Sequence, residues 1–121
     1  MKLTLLGTGC PSIDYKRCGS SNLISSKKTK ILVDCGSGVT QRLNQSGNST
    51  TNIDALFLTH LHTDHVIDLY QLIISSWHSD RDSIWKIYGP KGTKKFVNKI
   101  FLAWKSEREL RISYEKRKSI N

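Results

Sequence analysis

The feature that most constrains this chain is the run LTHLHTDHVIDL at residues 58–69, which continues the apolar stretch ALFL at residues 55–58. Three of the four histidines and one aspartate fall within six residues of this run: His60, His62, Asp64 and His65. A short apolar stretch followed by a polar loop predicts a buried strand that delivers the loop to one end of a sheet. The fold must therefore place four side chains of metal-binding type at the end of one strand.

The spacing of His60 and His62 suits two ligands of one ion, because side chains at i and i+2 of an extended segment point the same way. Asp64 and His65 follow in the turn that starts the next helix, where they can face a second ion. Imidazole and carboxylate ligands together suit zinc, manganese or iron. The alternative is a loop that is merely rich in histidine, but histidine is only 4 of 121 residues, so chance clustering is improbable. The sequence therefore predicts a metal site.

The remaining pattern predicts alternating strands and helices, and hence a mixed α/β (α+β) chain. Each predicted element is a run of apolar residues bounded by Gly, Asn, Asp or Ser. Thr93 is predicted to cap the last helix. The predicted strands cover residues 3–6, 22–25, 30–33, 55–58 and 85–88, and the predicted helices cover residues 39–44, 66–77 and 93–104.

Length and composition exclude several classes of protein. A chain of 121 residues predicts one domain, and no apolar run approaches the roughly 20 residues that a membrane span requires. The three cysteines, Cys10, Cys18 and Cys35, form no CxxC pair and are odd in number, which argues against a disulfide framework. We therefore expect a cytoplasmic protein, with each cysteine a buried and unreactive thiol.

The positive charge is concentrated at the end of the chain. The net charge is +9, and residues 91–121 hold ten of the 19 lysines and arginines but only three of the ten acids. A basic segment of this kind attracts polyanions. Two interpretations stay open: an ordinary solvated helix face with a frayed tail, and a nucleic-acid-binding module.

The histidine run resembles the metallo-β-lactamase fold superfamily, whose HxHxDH signature stands here as residues 60–65. Further stretches resemble successive landmarks of the ribonuclease Z and arylsulfatase-like branch, in order, over residues 3–104. Where tRNA-processing members show DCGEG and HGDH, this chain has DCGSG and HTDH, which is closer to the phosphodiesterase and arylsulfatase-like relatives. The landmarks are LGTGCPS, SSNLI, ILVDCGSGVTQRL, DALFLTHLHTDHVIDLYQL and IYGPKGTKKF.

The resemblance implies a fold, a reaction and a ligand set. The fold is an αββα sandwich with two stacked sheets, and the reaction is hydrolysis of a phosphodiester or related ester by metal-bound hydroxide at two zinc ions. His60, His62, Asp64 and His65 would be metal ligands, and Asp64 would also act in catalysis by orienting the water. Asp34 would hydrogen-bond a ligand from behind. RNA or a nucleotide is the expected type of substrate, with no membrane partner.

The resemblance covers only the first half of such a sandwich. The family takes a further histidine, a bridging aspartate and a last histidine from later in its chain, but no histidine follows His78 and no aspartate follows Asp82 here. We therefore expect a partial domain over residues 1–121, with a basic tail at 105–121. Its sheet would lack a second sheet on one face, so we expect self-association or pairing with a C-terminal half. A non-catalytic metal-binding half-domain is the alternative to an enzyme.

Overall fold

The computed structural model describes residues 1–118 of the chain. These residues form two compact units, residues 1–90 and, as far as they are described, residues 91–118. The first unit contains the sheet and the histidine run, and the second unit is helical.

The first unit is built on one mixed sheet of five strands in the order β1-β2-β3-β4-β5. The first three strands are antiparallel neighbours, whereas β4 runs parallel to both β3 and β5. The predicted mixed sheet is confirmed, with its last strand two residues shorter than predicted. The strands are β1 (Lys2–Gly7), β2 (Ser21–Ser25), β3 (Lys30–Val33), β4 (Ala55–Phe57) and β5 (Ile87–Tyr88).

Three α-helices and one short 3₁₀ turn complete the first unit: α1 (Val39–Gln45), the 3₁₀ turn (Thr50–Asn52), α2 (Thr63–Val66) and α3 (Leu69–His78). The prediction of one helix over residues 66–77 is wrong in one respect, because a single turn, α2, precedes α3 and the two are separate. The break falls at Ile67 and Asp68, where the Asp68 N–H donates to the carbonyl of Cys35 instead of to an earlier turn of helix.

One face of the sheet carries the core. Leu23, Leu32 and Leu56 are in register on adjacent strands and are at most 1% exposed. Helix α1 contacts both β1 and α3, and both helices contribute fully buried side chains. Burial of a leucine row under two helices supplies the main hydrophobic stabilisation, at about 1.5–3 kcal/mol for each side chain. The buried helix residues are Val39, Leu43, Leu69, Leu72, Ile73 and Trp77.

The opposite face of the sheet is apolar and largely uncovered. Besides the small, buried Ala55, strand alternation and register place seven apolar side chains on it. Leu3 and Leu5 are 62% and 63% exposed, and Phe57 and Tyr88 stack on each other with ring centroids 4.8 Å apart while 41% and 50% exposed. The prediction that β4 is covered on both faces therefore fails at Phe57. The sheet's outer face, as we call it, consists of Leu3, Leu5, Ile24, Ile31, Val33, Phe57 and Tyr88.

The second unit consists of α4 (Thr93–Ala103) and α5 (Lys105–Glu115). Gly92, with φ of 103°, precedes α4 as its cap, and Thr93 is instead the first helical residue and is buried, so the predicted threonine cap is wrong. Helix α5 occupies most of the predicted basic tail, and residues 119–121 of that tail lie outside the described residues. Pairs spaced i,i+4, such as Glu107 with Arg111, stabilise an exposed helix of this kind.

Within residues 1–118, no helix has both the length and the apolar character needed to cross a bilayer.

Candidate metal centre

Asp34 lies 26 residues before His60 in the sequence, but its side chain contacts the histidine run. It directly follows β3, and its N–H donates to the carbonyl of Phe57 at the end of β4, with N and O 2.8 Å apart. Because β3 and β4 are parallel, their carboxyl ends meet at the same edge of the sheet. Asp34 has φ of 62°, a left-handed conformation that costs most residues energy but that aspartate adopts more readily.

The Asp34 carboxylate is buried and accepts hydrogen bonds from two parts of the run. The backbone N–H and the hydroxyl of Thr59 both donate to it, at 2.8 Å from N to Oδ1 and 2.8 Å from Oγ1 to Oδ2. On the other side, His65 Nδ1 lies 2.8 Å from Oδ2. A carboxylate that is only 3% exposed is thus satisfied by one threonine and one imidazole.

The three imidazoles form one cluster. The ring centroids of His60 and His65 are 4.0 Å apart, and those of His60 and His62 are 4.5 Å apart. Asp64 joins the cluster through its Oδ2 atom, which lies 3.4 Å from Nε2 of His65. The structure therefore brings together all four predicted ligands, with Asp34 directly behind them.

The hydrogen bonds fix which ring nitrogen of two histidines faces the cluster. The single hydroxyl proton of Thr59 is donated to Asp34, so the same oxygen, 2.9 Å from Nδ1 of His60, accepts a hydrogen bond from the Nδ1–H of that ring. His65 likewise donates Nδ1–H to Asp34. In the neutral form of each ring, Nε2 is then the nitrogen with a lone pair for an ion, which is the tautomer that a carboxylate behind a metal ligand selects.

Backbone contacts hold the run against the segment after β3. The Cys35 N–H donates to the carbonyl of His65 at 2.7 Å, and the Asp68 carboxylate accepts from the N–H of Thr40 at 2.7 Å. At Gly36 a Cβ atom would lie only 2.3 Å from the carbonyl oxygen of Asp64, so a side chain cannot be accommodated there. The DCG stretch therefore positions the histidine loop through its backbone as well as through Asp34.

The donor chemistry fits a divalent ion, but the set is open. Nitrogen and carboxylate donors suit zinc and related metals. Within residues 1–118, however, no group of three or more His, Cys, Asp or Glu side chains has its donor atoms arranged to hold an ion. The rings of His60 and His62 meet edge to face, and those of His60 and His65 meet at a tilt.

Other acidic and histidine side chains stay outside the cluster in the described structure. His78 is the last residue of α3, with its ring edge-on to Trp77 at 5.5 Å, as expected for a helix-end residue. Asp80 follows in a left-handed turn with φ of 59°, and Asp82 is exposed. The sequence pattern alone predicts no role for Thr59 or Asp68, although a hydroxyl next to His60 is a usable signal.

The cysteine prediction holds only at Cys35. This thiol is fully buried, and burial, followed by the nearby charges of Asp68 and Asp34, raises its pKa well above the usual range. Cys10 is instead exposed, and Cys18 is half-buried with its sulfur accepting from Nε of Arg42 at 3.3 Å. The prediction was wrong at these two positions because the glycine-rich loops that carry them run along the surface.

Comparisons with known proteins identify the family of this chain. A family model described as Anti-Pycsar protein Apyc1 matches residues 1–110. The ribonuclease Z of Mycobacterium sp. (strain KMS) is 38% identical over 117 residues, which covers 94% of this chain and 41% of that protein. The chain thus spans about two fifths of the length of the curated relatives it matches.

Two solved structures share the fold. Human tRNase Z, short form, superposes with a TM-score of 0.78 at 30% identity, over 85% of this chain and 40% of that chain. The metallo-β-lactamase fold protein YhfI from Bacillus subtilis gives 0.70 at 27% identity, over 80% and 39%. The chain therefore belongs to the Anti-Pycsar protein Apyc1 family and corresponds to the N-terminal half of a metallo-β-lactamase fold.

Proposed function

We propose that this chain carries the first half of a binuclear metal centre in a hydrolase that cleaves phosphodiester or related ester bonds, with RNA or a nucleotide as substrate. The observation that carries the proposal is the joint orientation of His60 and His65 by one buried carboxylate. A polar loop without a ligand has no need of a buried aspartate in a left-handed conformation behind it. The names of the ribonuclease Z relatives support the phosphodiester class.

The residues that would hold the metal are His60, His62, Asp64 and His65. Zinc is the expected ion, with manganese or iron as alternatives, since imidazole and carboxylate donors suit all three. A bound ion of this kind supplies Lewis-acid polarisation of a phosphoryl oxygen and lowers the pKa of water. Asp64 would act in catalysis by orienting the attacking water with its carboxylate.

Asp34 and Thr59 orient two of the histidines that would hold the metal. Asp34 keeps the Nδ1 proton on His65 and, through the Thr59 hydroxyl, on His60, so that both Nε2 atoms can act as donors. Fixed rings lose little rotational freedom when they bind, which raises affinity. Four donors shared between two ions make a weak site, and a C-terminal half would supply the others.

The test is a zinc titration of the full chain by isothermal calorimetry, together with turnover of bis(p-nitrophenyl) phosphate. We expect weak binding that disappears in the variant His60→Ala/His62→Ala and persists in the matched control His78→Ala. Turnover that follows the same pattern supports an enzyme, whereas metal binding without turnover supports the alternative, a non-catalytic metal-binding half-domain. Equal zinc binding by the His60→Ala/His62→Ala variant and the unsubstituted chain would refute the metal centre.

A further inference from the structure

Charge in the second unit is divided unequally between its two helices. All three glutamates of residues 91–118 lie in α5, where each is paired with a cation of the same segment. The lysines on and just before α4 are Lys91, Lys94, Lys95 and Lys99. Among residues 1–118 none of these four lysines forms an ion pair. The neutralisation that stabilises α5 is therefore absent from α4.

These lysines share one side of α4. Lys95 and Lys99 are four residues apart, one helical turn, and Lys94 and Asn98 repeat that spacing beside them. Lys94, Lys95 and Lys99, together with Gly92, Asn98 and Leu102, line a shallow depression of about 520 Å³. We call this surface, with Lys91, the lysine face of α4. It presents several cations and one amide group within two helical turns.

The position of the lysines is electrostatically unfavourable for the helix itself. Lys94 and Lys95 lie in the first turn of α4, where the helix dipole is positive, and no acidic residue occurs in that turn. Gly92, the capping residue, has no side chain to accept from the first N–H groups. A bound anion would compensate all of these charges and dipoles at once.

We propose that the lysine face of α4 binds the phosphate backbone of a nucleic acid without reading its sequence. Closely spaced lysines neutralise successive phosphates, and an amide such as Asn98 can donate to a phosphate oxygen. A membrane-binding helix would instead present a free apolar face to lipid. Of the large apolar residues in α4, Phe96, Val97, Ile100 and Phe101 are partly covered and Leu102 alone is exposed, which is too little apolar surface for such a face. This inference goes beyond the proposed function and does not depend on it.

The test measures fluorescence anisotropy of a labelled single-stranded oligonucleotide with the full chain over a series of salt concentrations. Three phosphate contacts contribute about 2 to the slope of log affinity against log salt concentration for a single strand. We expect Lys94→Gln/Lys95→Gln/Lys99→Gln to lower the slope by about that amount and the low-salt affinity at least about tenfold. Lys94→Arg/Lys95→Arg/Lys99→Arg should retain both values.

A matched control removes the same charge elsewhere. Lys2, Lys27 and Lys28 are exposed lysines of the first unit, and Lys2→Gln/Lys27→Gln/Lys28→Gln should change the affinity by less than about twofold. An equal loss in this control would overturn the proposal, because net charge alone would then explain binding. Tighter binding to phosphatidylserine vesicles than to the oligonucleotide would also overturn it.

Two further measurements distinguish a loss of nucleic-acid binding at α4 from a change in folding and from binding at the histidine cluster. Circular dichroism should show the same helix content in the glutamine variant, since lysine and glutamine have similar helix propensities. His60→Ala/His62→Ala should bind the oligonucleotide as tightly as the unsubstituted chain. Loss of binding in that variant would place the nucleic acid at the histidine cluster and contradict the proposal, whatever the outcome of the zinc titration.

Discussion

The two units of this chain differ in net charge and in the burial of their side chains. Residues 1–90 have a net charge of only +2, nine basic against seven acidic residues, and they contain every buried apolar side chain of the described core. Residues 91–118 have a net charge of +7, and Thr93 is their one buried residue among those described. A packed sheet can hold a carboxylate and three imidazoles at fixed distances. An exposed helical pair cannot, but it can present charge to solvent.

The comparison predicts that truncation of a leucine side chain to alanine destabilises the first unit much more than the second. Leu32 lies in the centre of the sheet at 0% exposure, and Leu32→Ala should lower the free energy of unfolding by about 2–5 kcal/mol. Leu102→Ala, at a site that is 69% exposed, should change it by less than about 0.5 kcal/mol. Urea unfolding followed by tryptophan fluorescence measures both. Similar losses in the two variants would mean that the units fold as one.

Hydrogen exchange tests the same difference without substitution. Amides of β3 are hydrogen-bonded on both sides within the sheet, whereas α5 contains no buried residue. We expect β3 amides to exchange at least about 100-fold more slowly than α5 amides, because helices with few packed contacts open at low free-energy cost. Mass spectrometry of peptides after deuterium exchange measures this ratio. Equal protection would contradict the contrast.

Asp34 tests how the packed unit supports its site. Asp34→Asn keeps a residue that tolerates a left-handed backbone but removes the charge that accepts from His65 and Thr59. We expect zinc affinity to fall about 10–100-fold, the usual cost of removing a group that orients a metal ligand. Asp80→Asn, at an exposed left-handed aspartate, is the matched control and should leave affinity unchanged. Calorimetric titration would contradict the assigned role if both variants bind equally.

The sheet's outer face predicts self-association of the first unit. The variant Leu3→Gln/Leu5→Gln should associate about tenfold more weakly. Each substitution removes part of the free energy that a leucine gains when it is buried against a second surface. Leu102→Gln/Leu110→Gln, at comparably exposed sites of the second unit, should not. Sedimentation velocity over a concentration series distinguishes the two variants. A chain that stays monomeric and binds no hydrophobic dye would refute the expectation that this face needs a partner.

Several features could be predicted from the sequence because they depend on local order. Periodicity located all five strands and the helices α1, α3 and α4 within a few residues, since alternation and helical spacing follow directly from backbone geometry. The HxHxDH run indicated both the fold and the candidate ligands, and the comparisons confirm the fold. The preference for arylsulfatase-like relatives stays a prediction.

Two other features could not be predicted in this way. Helix α5 was missed because a mainly polar surface with i,i+4 ion pairs is a pattern that also describes a disordered tail. The exposure of Cys10 and Cys18 depends on where their loops lie on the surface, which local sequence does not encode.

The sequence by itself determined that four side chains of metal-binding type follow an apolar strand, that the chain resembles the metallo-β-lactamase fold superfamily and that most of its net positive charge lies beyond residue 90. Only the tertiary structure showed that one carboxylate orients two histidines, because Asp34 and Thr59 meet through the parallel pairing of β3 and β4, which joins residues 25 positions apart. That result arises from contacts between elements, and such contacts are set by packing rather than by local sequence order.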